Sequence, residues 1–373
     1  MLLSGCNEGP QYEDVVYVTG TESTPTTSLL LDGDNGAMGL TVTSTAKLDK
    51  DAKVTMKVAP ELLPAYNEKY GMKYEMLPEG SYQFLNGDVT IKSGQAQSSQ
   101  AELKITSTEN FKEGVTYCAP ITISSANGLN VLEPQRTAFV VVNRVLRTKV
   151  ANLNGMYYNV PSFLESSPSS AAVKNLNQLT MECKVYVNNF SGSNPFISSV
   201  MGIEERFLLR FGDVSCDPDQ LQLAAGTVGG KKYPMTLNMH FATGRWYHIA
   251  CVYNGTTITM YVNGKAESST TTSGGTVDLT WDYMGGFNIG KSERGRYLNG
   301  YISEARVWSR ALTTSELQSN VCYVDPTSDG LVAYWRFNGA DVDGDKVKDL
   351  TGHGHDAVAS STPKFVDNQP CPF

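Results

Sequence analysis

Short alternating runs that end at Asn-Gly pairs constrain the fold of this chain more than any other feature. The run Trp246–Tyr253 is followed by Asn254-Gly255, and the run Thr257–Val262 is followed by Asn263-Gly264. Apolar side chains at every second position predict strands with one buried face. Asn-Gly favours a hairpin because both central residues of a type I′ turn need positive φ. Similar runs recur along the whole chain, so the sequence predicts an all-β protein.

The chain has 373 residues, too many for one hydrophobic core, so two or three domains are expected. Alternating runs between residues 15 and 147 predict roughly seven strands, the number found in an immunoglobulin-like sandwich. Two short helices are also predicted. One covers residues 62–70, and the other covers residues 313–320 with Thr313 or Thr314 as its N-cap.

Two dense motifs in the second half of the chain carry a family resemblance. They consist of Trp246, His248, Ala250, Tyr253, Gly255, Tyr261, Val262, Asn263 and Gly264, and then of Gly300, Ile302, Glu304, Arg306, Val307, Trp308, Arg310, Ala311 and Leu312. They resemble the central hairpin and the closing strand of the laminin-G/concanavalin A-like jelly roll, except that Ser303 stands where Asp is usual. The resemblance implies a jelly roll over residues 148–322.

The segments on either side resemble parts of bacterial surface lipoproteins. Motifs at residues 65–67, 77–82 and 89–94 resemble a domain of unknown function that follows a lipid anchor and precedes a glycan-binding or glycan-cleaving module. The immunoglobulin-like domain at residues 15–147 is identified with that domain. Residues 323–373 resemble a small module that follows laminin-G domains, and they are expected to pack on the jelly roll.

The first residues resemble a bacterial lipobox, in which a Cys becomes acylated. Leu3-Ser4-Gly5 precedes Cys6, so residues 1–14 are interpreted as lipobox and linker. The protein is then expected to be exported and held at the outer membrane or cell surface, with this anchor as its membrane contact. The net charge is −8, which repels phosphate backbones, so nucleic acid is not an expected partner.

Seven cysteines are present. Cys183 and Cys251 fall inside apolar strand patterns, where Cys behaves as a small buried hydrophobe. Cys322 and Cys371 bracket the final segment and are a candidate disulfide in an exported protein.

The sequence gives no support for catalysis. Retaining glucanases of the jelly-roll family place two carboxylates on one strand face, about 5–5.5 Å apart. Glu204 and Glu205 are adjacent, so on a strand they would face opposite sides. Glu182 and Glu304 have no acidic residue two or four positions away.

Metal binding stays open at this point. Asp341, Asp343 and Asp345 supply oxygen ligands in alternation, which calcium prefers, although Gly344 falls too early for a calcium-binding loop. A solvated turn is the alternative. His353 and His355 are interpreted as turn residues, and His248 as a hydrogen-bonded structural residue.

Sugar binding requires an exposed aromatic platform beside planar polar groups. Two neighbouring loops offer this combination, and the candidate glycan-binding residues are Trp281, Asp282, Tyr283, Arg294 and Tyr297. The function predicted is non-catalytic binding of a glycan or polysaccharide, with other surface lipoproteins as further partners. The alternatives are a protein-interaction or adhesion module and a glycoside hydrolase on the jelly-roll fold.

Overall fold

The computed structural model describes residues 14–224, 228–230 and 232–371. The chain divides into two compact units, Met1–Val145 and Leu146–Phe373. Each unit has a large hydrophobic core of its own.

The first unit is built from short strands and one α-helix. Its strands are β1 (Val15–Val18), β2 (Thr26–Leu31), β3 (Gly36–Leu40), β4 (Val42–Ser44), β5 (Ala52–Val58), β6 (Tyr82–Leu85), β7 (Asp88–Ile91), β8 (Ala101–Ile105), β9 (Tyr117–Ser125), β10 (Asn130–Val131) and β11 (Thr137–Arg144). Helix α1 spans Leu63–Tyr70, and 3-10 helices span Pro60–Leu62 and Glu133–Gln135.

These strands form three sheets around one core. Their orders are β10-β1-β4, β2-β11-β9-β5-β7 and β3-β8-β6, and β2 runs parallel to β11. The helix predicted at residues 62–70 is confirmed as α1. It ends at Gly71, whose φ of 65° gives a left-handed cap. Tyr66 of α1 stacks on Phe139 with the ring centroids 3.9 Å apart, which packs the helix against β11.

The second unit continues the strand pattern. Its strands are β12 (Leu146–Asn152), β13 (Tyr158–Asn159), β14 (Leu179–Asn189), β15 (Ser198–Ile203), β16 (Phe207–Asp213), β17 (Cys216–Ala224), β18 (Trp246–Tyr253), β19 (Thr257–Val262), β20 (Lys265–Thr271), β21 (Asn288–Ile289), β22 (Asn299–Trp308), β23 (Leu331–Trp335), β24 (Val342–Asp343), β25 (Lys346–Val347), β26 (Ala357–Ala359) and β27 (Phe365–Cys371). Helix α2 spans Thr314–Ser319, and 3-10 helices span Pro161–Phe163 and Pro168–Val173.

Two large sheets sandwich the core of this unit. One has the order β20-β19-β18-β14-β22-β12-β27, with β23 paired to β22, and the other has the order β17-β16-β15-β21-β13-β26-β25-β24. Strands from residues 323–371 join both sheets, so this segment completes the sandwich and shares its core.

The predicted hairpin turns differ in detail. Asn263 and Gly264 both have positive φ, 49° and 72°, as a type I′ turn requires. At the other turn only Gly255 has positive φ. The Asn254 Oδ1 atom instead accepts hydrogen bonds from the backbone amides of Thr256 and Thr257. These bonds stabilise the three-residue loop between β18 and β19.

The helix predicted at residues 313–320 is confirmed as α2. Thr313 is its N-cap and accepts from the Glu316 amide, while the Glu316 side chain accepts from the Thr313 amide. This capping box satisfies backbone donors at the helix start. Leu317 then packs on Trp308 and other residues outside the main core.

Candidate functional site

The sheet face of the second unit that is turned away from the main core carries buried charged side chains. Glu182 on β14, His248 on β18, and Arg306 with Trp308 on β22 point away from the core, because side chains alternate along a strand. Glu182 Oε2 lies 2.9 Å from His248 Nε2, and Glu182 Oε1 accepts from Trp308 Nε1 at 2.9 Å. All four side chains are buried. The structural role predicted for His248 is thus confirmed.

A second carboxylate joins this group through Arg306. Arg306 donates to Glu182 Oε1 at 3.3 Å and to Glu304 Oε2 at 2.6 Å, and Arg336 donates to Glu304 Oε1 at 2.9 Å. Burial opposes the charge of Glu182, but Arg306 and the hydrogen bond with His248 hold its pKa below the ordinary value. We call Glu182, His248, Glu304, Arg306 and Arg336 the sealed network. Its two carboxylates are buried and share Arg306 as a hydrogen-bond donor.

The other acidic pair is also held by arginine. Glu204 and Glu205 lie in the turn between β15 and β16 and not on a strand, so the orientation expected for strand residues does not apply to them. Arg210 Nη1 is 2.8 Å from Glu204 Oε1 and 3.7 Å from Glu205 Oε1. Arg296 Nη1 reaches the same Glu204 oxygen at 2.8 Å. The turn brings the two carboxylates together around a shared guanidinium.

The Trp281 side chain is an exposed aromatic platform. Its exposed fraction is 48%, and the Arg206 guanidinium lies 3.8 Å from the ring centroid. The ring also lines a groove of about 470 Å³, which we call the Trp281 groove, together with Leu164, Glu165, Ser166, Thr280 and Asp282. Of the five predicted glycan-binding residues, the structure brings Trp281 and Asp282 together here.

Tyr297 lies in a different cluster. The Lys291 ammonium is 4.3 Å from the Tyr157 ring centroid and 5.6 Å from that of Tyr297. We call these three residues the Lys291 cluster. The predicted five residues are divided because β21 lies between their loops, so the 279–287 loop and the 290–298 hairpin leave opposite ends of that strand.

The two remaining candidates are exposed on those loops. Tyr283 follows Trp281 and has an exposed fraction of 42%, and Arg294 lies near the tip of the hairpin. Sequence reasoning missed Arg206, Tyr157 and Lys291, which complete the two clusters. Lys291 could have been found from the short Gly290–Gly300 segment, where hairpin pairing places it opposite Tyr297.

The three candidate calcium ligands do not converge. Asp341 is buried and burial raises its pKa, whereas Asp343 and Asp345 are exposed on the β24–β25 hairpin. Calcium takes six to eight oxygen ligands around one point, which these residues do not supply. Among the described residues, Asp217, Asp219 and His240 do come together, with ligand atoms within 4.8 Å. The hydrogen bond of 2.8 Å between His240 Nδ1 and Asp219 accounts for that proximity and raises the pKa of His240.

The last two predicted turn residues differ in burial. His353 is exposed next to Gly354, and its Nδ1 lies 2.9 Å from the Val332 carbonyl oxygen. His355 is buried, its Nδ1 lies 2.9 Å from Ser162 Oγ, and burial lowers its pKa. Both line a groove of about 740 Å³ with small polar side chains.

The cysteines fall into two classes. Cys322 and Cys371 form a disulfide with their Cα atoms 5.7 Å apart. Cys118, Cys183, Cys216 and Cys251 are buried free thiols, and burial raises the pKa of Cys118 to about 12. Cys6, the predicted lipidation site, lies outside the described residues. No helix in the described part of the chain has the length and apolar character needed to cross a membrane.

Comparisons with known proteins agree with the all-β fold. The sequence profile of the concanavalin A-like lectin/glucanases superfamily (laminin G type) matches residues 165–318, and the profile of an N-terminal domain matches residues 12–130. No curated protein matches the chain. The fold class predicted from the sequence is confirmed, with a concanavalin A-like domain in the second unit.

Three solved structures are similar to this chain to different degrees. A Bacteroides ovatus protein proposed to bind carbohydrate is 26% identical, with a TM-score of 0.65, over 95% of this chain and 99% of its own. A heptameric SAP-like pentraxin from Limulus polyphemus is 16% identical, with a TM-score of 0.37, over 61% of this chain and 98% of its own. EndoBT-3987 of Bacteroides thetaiotamicron, solved with a Man5GlcNAc product, is 19% identical, with a TM-score of 0.30, over 35% of this chain and 30% of its own.

Proposed function

We propose that the protein binds carbohydrate, without cleaving it, at the Trp281 groove. The observation that carries the proposal is an exposed Trp281 ring beside Asp282 and Thr280 in one groove. An indole face covers the apolar C–H face of a pyranose, while carboxylates and hydroxyls bind its hydroxyl groups. The Arg206 guanidinium lies over part of the ring.

The fold comparison supports the same function. The Bacteroides ovatus protein that is proposed to bind carbohydrate matches both units of this chain at a TM-score of 0.65. A similar fold does not establish a function, so the proposal depends on the Trp281 groove itself.

The absence of cleavage is part of the proposal. The two acidic pairs described above, Glu182 with Glu304 and Glu204 with Glu205, are bound to Arg306 and Arg210. For Glu182, Arg306 and the hydrogen bond with His248 hold the pKa below its ordinary value, which makes this carboxylate a poor general acid. Release of reducing sugar by the purified protein from any bound glycan would contradict this part of the proposal.

Titration of glycans against Trp281→Ala tests the binding site. A single shallow site is expected to bind with a Kd between about 10 μM and 1 mM, and loss of the ring should weaken binding by about tenfold or more. Tyr70→Ala is the matched control, because Tyr70 is a similarly exposed ring, at 42%, in the other unit. Unchanged glycan binding by folded Trp281→Ala would remove the Trp281 groove from the proposal.

A protein partner is the second candidate function, and one observation favours it. Trp281, Tyr283 and Met284 form a run of exposed apolar side chains, of the kinds enriched at protein interfaces. Binding to another surface lipoprotein that Trp281→Ala abolishes, together with a glycan array that shows no binding, would favour this function.

We also propose that the protein is exported and anchored at the cell surface, where it captures polysaccharide. The lipobox-like residues before Cys6 and the Cys322–Cys371 disulfide support export, because disulfides persist in oxidising compartments. Many anchored copies on one polymer would increase avidity. Labelling with a fatty-acid analogue should be lost in Cys6→Ser. Labelling that persists in that variant would contradict the anchor.

A further inference from the structure

We propose that the 290–298 hairpin selects an anionic sugar, a pyranose bearing a carboxylate or sulfate, through Lys291 held between Tyr157 and Tyr297. This inference rests on the proposed function, because it names the class of glycan that is bound. It adds the Lys291 cluster as a second contact region besides the Trp281 groove.

The Lys291 ammonium is held in a defined position. The rings of Tyr157 and Tyr297 are 6.2 Å apart at an angle of 60°, and the ammonium lies 4.3 Å and 5.6 Å from their centroids. A β-bridge pairs Lys291 with Tyr297 across the hairpin. The hairpin is attached to the neighbouring sheet at its first residue, because the Gly290 amide donates to the Val200 carbonyl at 2.7 Å. The cation is therefore presented from a hairpin that is held by backbone pairing and hydrogen bonds.

The charges of the hairpin are not balanced. In the described part of the chain, no carboxylate oxygen lies within 4.0 Å of the Lys291 ammonium or the Arg294 guanidinium, whereas Arg296 pairs with both Glu204 and Glu293. Aromatic rings attract a cation but do not neutralise it. The hairpin therefore presents positive charge on a chain whose net charge is −8.

This combination of groups fits an anionic pyranose. Tyr297 is 37% exposed and offers a flat apolar surface for the sugar ring. Lys291 lies beside that surface and can donate charge-assisted hydrogen bonds to a carboxylate or sulfate oxygen, which are stronger than bonds to a neutral hydroxyl. A neutral sugar would use the ring alone, so an anionic sugar should bind more tightly.

Calorimetry on the full chain with matched oligosaccharides tests the inference. The probes are an oligogalacturonate with its methyl ester, and a sulfated galactan oligosaccharide with its desulfated form. We expect one anionic probe to bind about tenfold or more tightly than its neutral counterpart. Lys291→Gln should lose most of that difference, and Lys291→Arg should retain it. Lys348→Gln is the control, because Lys348 is an exposed lysine outside the hairpin.

The outcomes separate this inference from the proposed function. Equal binding of both members in each pair, or unchanged anionic binding by Lys291→Gln, overturns the inference. If a neutral glycan binds and only Trp281→Ala weakens it, the proposed function stands and the inference fails. If no glycan of any kind binds, the proposed function fails first. Should Lys291→Gln not fold, Arg294→Gln at the exposed tip is expected to reduce the anionic preference severalfold, and an unchanged preference overturns the inference.

Discussion

The sealed network and the Lys291 cluster place cations on aromatic rings in the same unit, with opposite consequences. In the sealed network, the Arg306 guanidinium lies 4.6 Å from the Tyr334 ring centroid and also binds Glu182 and Glu304. In the Lys291 cluster, the cation has two rings, and no carboxylate is within 4.0 Å in the described part of the chain. The first arrangement stabilises the sandwich, whereas the second leaves a charge available to a ligand.

Removing the central cation of the sealed network should have the largest effect. Arg306→Met leaves Glu182 and Glu304 buried without their shared partner, so the free energy of unfolding should fall by about 3–5 kcal/mol. Chemical denaturation measures this. Arg294→Met is the control and should change stability by less than about 0.5 kcal/mol. A loss below about 1 kcal/mol for Arg306→Met would show that the network does not depend on its arginine.

Opening the disulfide should have the next largest effect. Cys322 follows α2 closely, and the Asn320 carbonyl accepts from Arg306 at 2.7 Å, so the bridge fixes the segment that covers the sealed network. Its sequence separation of 49 residues predicts a loss of about 2–4 kcal/mol in Cys322→Ser/Cys371→Ser. Reductant should lower the melting temperature of the parent protein but not of the variant. Equal stability of the two proteins without reductant would contradict the prediction.

A smaller effect, of opposite sign, is expected at Lys184. This buried side chain lies beside the sealed network, 5.1 Å from the Trp246 ring centroid, and burial lowers its pKa to about 8. In the unfolded chain, Lys184 has the ordinary lysine pKa of about 10.4. Folding at neutral pH therefore buries a charged ammonium, which lowers the free energy of unfolding. This loss of stability decreases as the pH rises above 8, because the folded protein then releases the proton. Lys184→Met should therefore raise the free energy of unfolding at pH 7 by on the order of 1–3 kcal/mol.

The pH dependence makes the Lys184 prediction specific. The advantage of Lys184→Met over the parent protein should be complete below pH 8 and should shrink between pH 8 and pH 10. Denaturation curves of both proteins across this pH range measure the difference in their free energies of unfolding. Other titrating groups contribute equally to both proteins and cancel in that difference. A constant difference, or a variant less stable than its parent at pH 7, would contradict a charge penalty at Lys184.

Local signals in the sequence were sufficient for the fold class and for several elements. Alternation predicted β18 and β19, and the capping residues predicted α2, because each signal acts over a few residues. The strand topology of the first unit and the two-sheet membership of residues 323–371 depend on pairing between distant segments. No local pattern specifies such pairing.

The site was predicted less completely, because it depends on the register between paired strands and on the end of a strand from which each loop leaves. Glu304 and Arg306 are two residues apart and share one face of β22, but their meeting with Glu182 depends on the irregular pairing of β14 with β22, which spacing along one strand does not specify. Trp281 and Tyr297 were expected in one site because their loops are consecutive. Consecutive loops leave opposite ends of the strand between them, here β21, so the five residues form two groups.

The smallest stability effects are expected in the Lys291 cluster, and they sharpen the contrast with the sealed network. Lys291→Gln removes a cation whose described partners are two partly exposed rings, and such contacts contribute about 0.5–1 kcal/mol each at exposed sites. Its free energy of unfolding should therefore change by less than about 1 kcal/mol, against about 3–5 kcal/mol for Arg306→Met. The same denaturation experiment measures both variants. If Lys291→Gln destabilised the protein as much as Arg306→Met, the ammonium would be structural, and its charge would not be available to a ligand.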